Sequence, residues 1–121
     1  MAQSVEIREG YIAVIFSGVV TPATVGDALG DSTAVLSAVQ RTPRVLFEFS
    51  QIESFGFDPL TLGDAMQRLA ALGVRLAVSS SNPEFFGVGR QIALYSGVEA
   101  VAIAVFNNEA EAVGWLLDKR D

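Results

Sequence analysis

Four short apolar runs, separated by stretches of helical length, are the feature that most restricts what this chain can fold into. They are Tyr11-Ile12-Ala13-Val14-Ile15-Phe16, Val45-Leu46-Phe47-Glu48-Phe49, Val74-Arg75-Leu76-Ala77-Val78 and Val101-Ala102-Ile103-Ala104-Val105-Phe106. A strand that is apolar on both faces belongs inside a sheet with layers above and below it, because a half-exposed strand alternates. The intervening segments are long enough to carry crossovers between parallel strands. Ahead of the first run, Val5 and Ile7 alternate with Glu6 and Arg8, and Glu9-Gly10 supplies a tight turn. That pattern predicts an antiparallel hairpin strand at the sheet edge.

The segments between the runs carry helix signals. Thr21-Pro22 opens the first: threonine caps, and proline is tolerated where its missing N–H has no partner to lose. Val25, Ala28, Leu29, Val35, Leu36 and Val39 then form an apolar stripe that ends at Thr42-Pro43. Asp58-Pro59 opens the second helix by the same logic, with Leu62, Ala65, Met66, Leu69 and Leu72 on one face and Gly73 at its end. Asn82 caps a third, helical in pattern from Phe85 to Tyr95 and closed by Gly97. Asn108, with Glu111 three residues on, caps a fourth that docks through Ala112, Trp115 and Leu116. The order β-β-α-β-α-β-α-β-α, with right-handed crossovers, predicts a single α/β domain over residues 1–121. It is a three-layer sandwich: a mostly parallel five-stranded sheet with an antiparallel edge strand, and about four helices covering both faces.

Composition removes most kinds of chemistry. The chain has neither cysteine nor histidine, which excludes thiolate nucleophiles, histidine-based triads and cysteine or histidine metal sites. Its one lysine is Lys119, so there is no P-loop lysine. A formal net charge of -6 disfavours a nucleic-acid role. No apolar run approaches the roughly 20 residues of a membrane span. The first six residues lack a basic segment followed by an apolar one, so a cytoplasmic location is expected. Gly87-Val88-Gly89 is not completed into a dinucleotide fingerprint, because Ile92 holds the third glycine position. No pair of carboxylates is spaced for acid–base work, and no cofactor is implied.

The stretch from Val45 to Val78, VLFEFSQIESFGFDPLTLGDAMQRLAALGVRLAV, resembles the STAS domain, the anti-sigma-factor-antagonist or SpoIIAA-like family. Members run hydrophobic strand, DLS-x-V, a short loop, I-D-S-S/T-G-L, a long amphipathic helix, glycine and a further strand. Phe47-Glu48-Phe49-Ser50-Gln51-Ile52 matches the strand and loop, Leu60 to Leu72 the helix, and Gly73 to Val78 the glycine and strand. The ending, Val105-Phe106 and then Asn108-Glu109-Ala110-Glu111-Ala112, is also similar to a divergent STAS/SEC14-like branch. The resemblance implies a SpoIIAA-like fold, a non-catalytic regulatory role and a protein partner such as a kinase or switch protein. One departure stands out. Aligned on Ile52, the family's Asp-Ser-Ser/Thr-Gly falls on Gly56-Phe57-Asp58-Pro59, which puts Asp58 at the phosphorylatable hydroxyl position. Ser54 and Thr61 are the nearest hydroxyls. Asp58 is then either a fixed, phosphate-like charge or simply a helix cap.

Helix N-termini that follow parallel strands gather at one end of a sheet, where ligands usually bind. Ser54, Phe55, Phe57, Asp58, Ser81, Asn82, Phe86 and Arg90 are accordingly the candidate binding residues. Phe55, Phe57, Phe85 and Phe86 form either an exposed aromatic patch or part of the core. Arg90 meets an anionic ligand or pairs with Glu84. The alternative function is a small-molecule or lipid sensor, with an apolar pocket lined by Phe57, Phe85 and Phe86. So apolar a small domain is also compatible with a homodimer.

Overall fold

The apolar runs form the sheet. The computed structural model describes residues 3–21, 23, 44–56, 58, 62–97 and 102–118. Strands β1 (Gln3–Arg8), β2 (Tyr11–Val20), β3 (Arg44–Phe55), β4 (Arg75–Ser79) and β5 (Ile103–Phe106) lie side by side in chain order. β1 pairs antiparallel with β2, and every other pairing is parallel. Helix α1 spans Leu62–Ala71, α2 Pro83–Ser96 and α3 Glu109–Leu116. The helix expected between Thr21 and Thr42 lies outside the described residues.

Strand order fixes where the helices go. When parallel strands are laid down in sequence with right-handed crossovers, each crossover helix lands on the same face. α1 and α2 share one face, over Val45, Phe47, Phe49, Leu76, Val78 and Ile103. α3 follows the last strand and folds back over the other face, where Ala112 and Leu116 meet Leu46 and Ala77. Both faces are therefore covered, as the doubly apolar strands require. Arg75 fixes the far end of α3: its guanidinium lies 4.1 Å over the Trp115 ring and donates to the Asp118 carbonyl at 2.8 Å.

The helix ends follow their sequence signals. After α1, the Gly73 N–H donates to Ala70 O at 2.9 Å and the Val74 N–H to Leu69 O at 3.1 Å. This crossed pair needs a left-handed residue, and Gly73 has φ +83°. Asn82 Oδ1 accepts the Glu84 N–H at 3.0 Å, and Asn108 Oδ1 the Glu111 N–H at 2.8 Å.

β3 differs from the expectation. Its apolar run ends at Phe49, yet the strand continues through Ser50-Gln51-Ile52-Glu53-Ser54 to Phe55, a stretch the resemblance assigns to a loop. Its register with β2 slips twice, between Ile15 and Ser17 and again between Gly18 and Val19. Each slip gives β3 one extra residue, and each bulge reverses which face the following residues point to. Phe49, Ile52 and Phe55 thereby all turn to the α1–α2 face, although their three-residue spacing has no place in a regular strand. The reach of β3 was invisible to a period-two reading for this reason.

The rings on that face form a continuous edge-to-face series. Phe47 meets Phe16 at 5.4 Å, Phe16 meets Phe49 at 5.7 Å, Phe49 meets Phe55 at 6.0 Å, and Phe55 meets Phe85 of α2 at 5.7 Å. Such pairs add about 0.5–1.5 kcal/mol each beyond burial. Phe16 is 1% exposed and Ile7, on edge strand β1, 67%. Phe16→Ala is expected to cost about 3–5 kcal/mol. Ile7→Ala should stay within about 0.5 kcal/mol of the parent. Urea-unfolding midpoints of the two variants check the contrast.

Candidate functional site

The carboxyl ends of β3, β4 and β5 open onto one rim. There β3 leads toward α1, Ser80-Ser81-Asn82 leads into α2, and Asn107-Asn108 leads into α3. Strand order runs straight across the sheet, so among the described strands it never reverses. The crevice that such a reversal opens in doubly wound sheets is not made here. The rim is a surface built of loops and helix starts.

A buried carboxylate organises its middle. Glu48 is 8% exposed and lies beside its register partner Ser79. The Ser79 hydroxyl donates to Glu48 Oε2, and the Ser50 N–H donates to Glu48 Oε1 at 2.7 Å. Ser50 Oγ in turn accepts the Ser81 N–H at 2.9 Å. Ser80 Oγ donates to the Asn82 carbonyl and accepts the Asn82 N–H, both at 3.2 Å. The Ser80 N–H donates to Phe106 O, also at 3.2 Å. β3, β4 and the start of α2 are thus tied together by a run of short polar side chains, and β5 joins them through its main chain. A buried charge needs such donors, since without them desolvation would be uncompensated. Glu48 was not among the candidate site residues. The sequence signal that could have found it is a lone charge in an otherwise apolar strand.

The candidate residues fall into different surroundings. Ser81 and Asn82 belong to this polar network. Ser54 is exposed on the last part of β3, in register with Val19. Asp58 is exposed, and α1 begins four residues later at Leu62. Phe57, Pro59 and Thr61 lie outside the described residues. Phe55 is half-buried between Phe49 and Phe85, and Phe85 is buried in the core. These two rings are core, not an exposed patch, because the bulges of β3 turn Phe55 inward beneath α2. Phe85, expected to line an apolar pocket, is packed against Phe55. Phe86 is half-buried, with the Arg90 guanidinium 5.9 Å from its ring centre. Arg90 is exposed and, among the described residues, has no ion pair with Glu84. Also among the described residues, no three carboxylates gather to hold a metal ion, and no helix is long and apolar enough to cross a membrane.

No protein-family model matches the chain, and no curated protein matches it. Solved structures do. An uncharacterized protein of the DUF3478 family with a SpoIIAA-like fold, from Shewanella loihica, superposes with a TM-score of 0.61 at 17% identity, over 95% of this chain and 92% of that one. The anti-sigma factor antagonist SpoIIAA in its unphosphorylated form gives 0.60 at 14% identity, over 93% and 94%. The phosphorylated form of SpoIIAA, a Bacillus cell fate determinant, gives 0.60 at 14%, over 93% and 97%. The chain has the SpoIIAA-like fold: a five-stranded mixed α/β sheet with one antiparallel pair.

Removing the Glu48 carboxylate leaves the Ser79 hydroxyl and the Ser50 N–H without their acceptor. Glu48→Ala should therefore lower stability by about 1–3 kcal/mol. Glu48→Gln keeps one acceptor oxygen and should lose less. Chemical denaturation of both variants checks the order.

Proposed function

We propose that this chain is a non-catalytic regulatory module that engages a protein partner through the rim around Asp58. One observation carries the reading: at the end of the central strand of a SpoIIAA-like fold stands an exposed carboxylate, Asp58, in the position that the family resemblance aligns with a phosphorylatable hydroxyl. SpoIIAA is an anti-sigma factor antagonist known in unphosphorylated and phosphorylated forms. By that analogy the partner is a kinase or switch protein, and the working compartment is the cytoplasm. A carboxylate bears one negative charge where a phosphoserine bears about 1.5 to 2, and no phosphatase removes it. The rim is then held in one charge state instead of being cycled between two. The absence of histidine and cysteine and the lack of paired carboxylates support a role without catalysis.

Incubation with ATP and a SpoIIAA-type serine kinase, followed by intact-mass spectrometry, is expected to add no stoichiometric phosphate. Full labelling at Ser54 or Thr61 overturns the reading. In pull-downs from the source cell, Asp58→Ala is expected to retain about tenfold less of the partner. Equal retention by the variant and the parent would place the contact elsewhere.

A further inference from the structure

Among the described strands β5 is the sheet edge opposite β1, and α2 runs beside it in the opposite direction. A groove of about 430 Å³ lies between them, lined by Arg90, Ala93, Leu94, Gly97, Ile103 and Val105 among others. Its helix wall is apolar and open: Leu94 is 81% exposed. Arg90 is its one charged lining residue among the described residues. The helix direction places Arg90 at the carboxyl end of β5 and Gly97 at its amino end. Gly89 sits against Val105 at that carboxyl end, where an added Cβ would come within 3.3 Å of Val105 Cγ1.

The backbone of β5 shows which of its groups are spare. The Leu76 N–H donates to Ala102 O at 2.8 Å, and the Ser80 N–H to Phe106 O at 3.2 Å. Backbone groups of successive strand residues point to opposite sides. Ala102, Ala104 and Phe106 therefore turn toward β4, while the N–H and C=O of Ile103 and Val105 turn away from the sheet. Among the described residues, no backbone partner meets them. Unpaired groups at a sheet edge are a template for another strand; here Val105 is half-buried and presents them most openly, while Ile103 beside it is 4% exposed.

The geometry points to a docking site for an extended peptide that adds to β5 as a further strand, with apolar side chains against Leu94 and Ala93 and a carboxylate at Arg90. Three features select this occupant. The outward N–H and C=O groups of Ile103 and Val105 match the main chain of a strand, not a helix. Four residues of β5 set its length at about 13 Å, or four to five peptide residues. The chain carries a formal net charge of -6, so the lone arginine lining the groove is a local reversal of sign that selects an acidic end. The groove reaches the rim at the carboxyl end of β5, where Arg90 stands, but its existence does not depend on the function proposed for Asp58.

The test uses a fluorescein-labelled hexapeptide of alternating valine and threonine ending in a free aspartate, and the same peptide ending in an asparagine amide. The acidic form is expected to bind at least about tenfold more tightly, a preference that falls with salt and disappears in Arg90→Glu. Amide exchange by NMR should slow at Ile103 and Val105 when the peptide is added. Val105→Pro deletes an outward N–H at an edge, where proline is tolerated, and should abolish binding while the melting transition remains cooperative. Should that variant fail to fold, Arg90→Glu and the exchange data decide alone. Equal binding of the two peptides, or slowed exchange confined to residues outside β5, overturns the proposal. So does a dimer by light scattering whose Ile103 and Val105 amides are already protected without peptide, since a second copy then occupies the edge.

Discussion

Phe49 sits edge-on to two rings at once, Phe16 at 5.7 Å and Phe55 at 6.0 Å, and it does so because β3 carries extra residues. A regular strand would send Phe49 and Ile52 to opposite faces. The first bulge brings Ile52 back, and the second brings Phe55 back beneath α2. The inner face of β3 is thereby lengthened at the end where the rim forms. Without that correction Phe85 would lose its ring partner on β3. The outward groups of the same stretch, Ser50 and Ser54, are left to the polar side by the same alternation. Core and rim thus follow from two bulges in one strand.

How far the sequence discloses this depends on the residue. The doubly apolar runs disclose the sheet and its parallel sense, since such runs are stable only between two layers. Gly73, Asn82, Gly97 and Asn108 disclose the helix ends, because capping is local chemistry within a few residues. Glu48 and Phe55 are different. Glu48 looks like a solvated charge until Ser79, distant along the chain, is placed beside it. Phe55 looks like a loop aromatic because the bulges break the period on which strand recognition rests. Arg90 likewise finds its surroundings only when β5 is laid alongside α2. What escapes the sequence is pairing across strands, and the candidate site is made of it.

The molecule presents two surfaces of opposite character. The rim is polar, with serine hydroxyls around a buried carboxylate and Asp58 exposed nearby. The α2–β5 groove is apolar, with a single cation and spare main-chain groups. The rim offers charge and the groove offers extended backbone, and the two meet at the carboxyl end of β5, where Arg90 stands.

Because the strands lie in the order in which they are synthesised, each newly made strand meets a neighbour that already exists. No earlier pairing must open to admit a later one, and loop closures stay as short as a crossover permits. A chain emerging from the ribosome can extend this sheet vectorially. β5 is then the last of the described strands to arrive, and α3 is laid down after it.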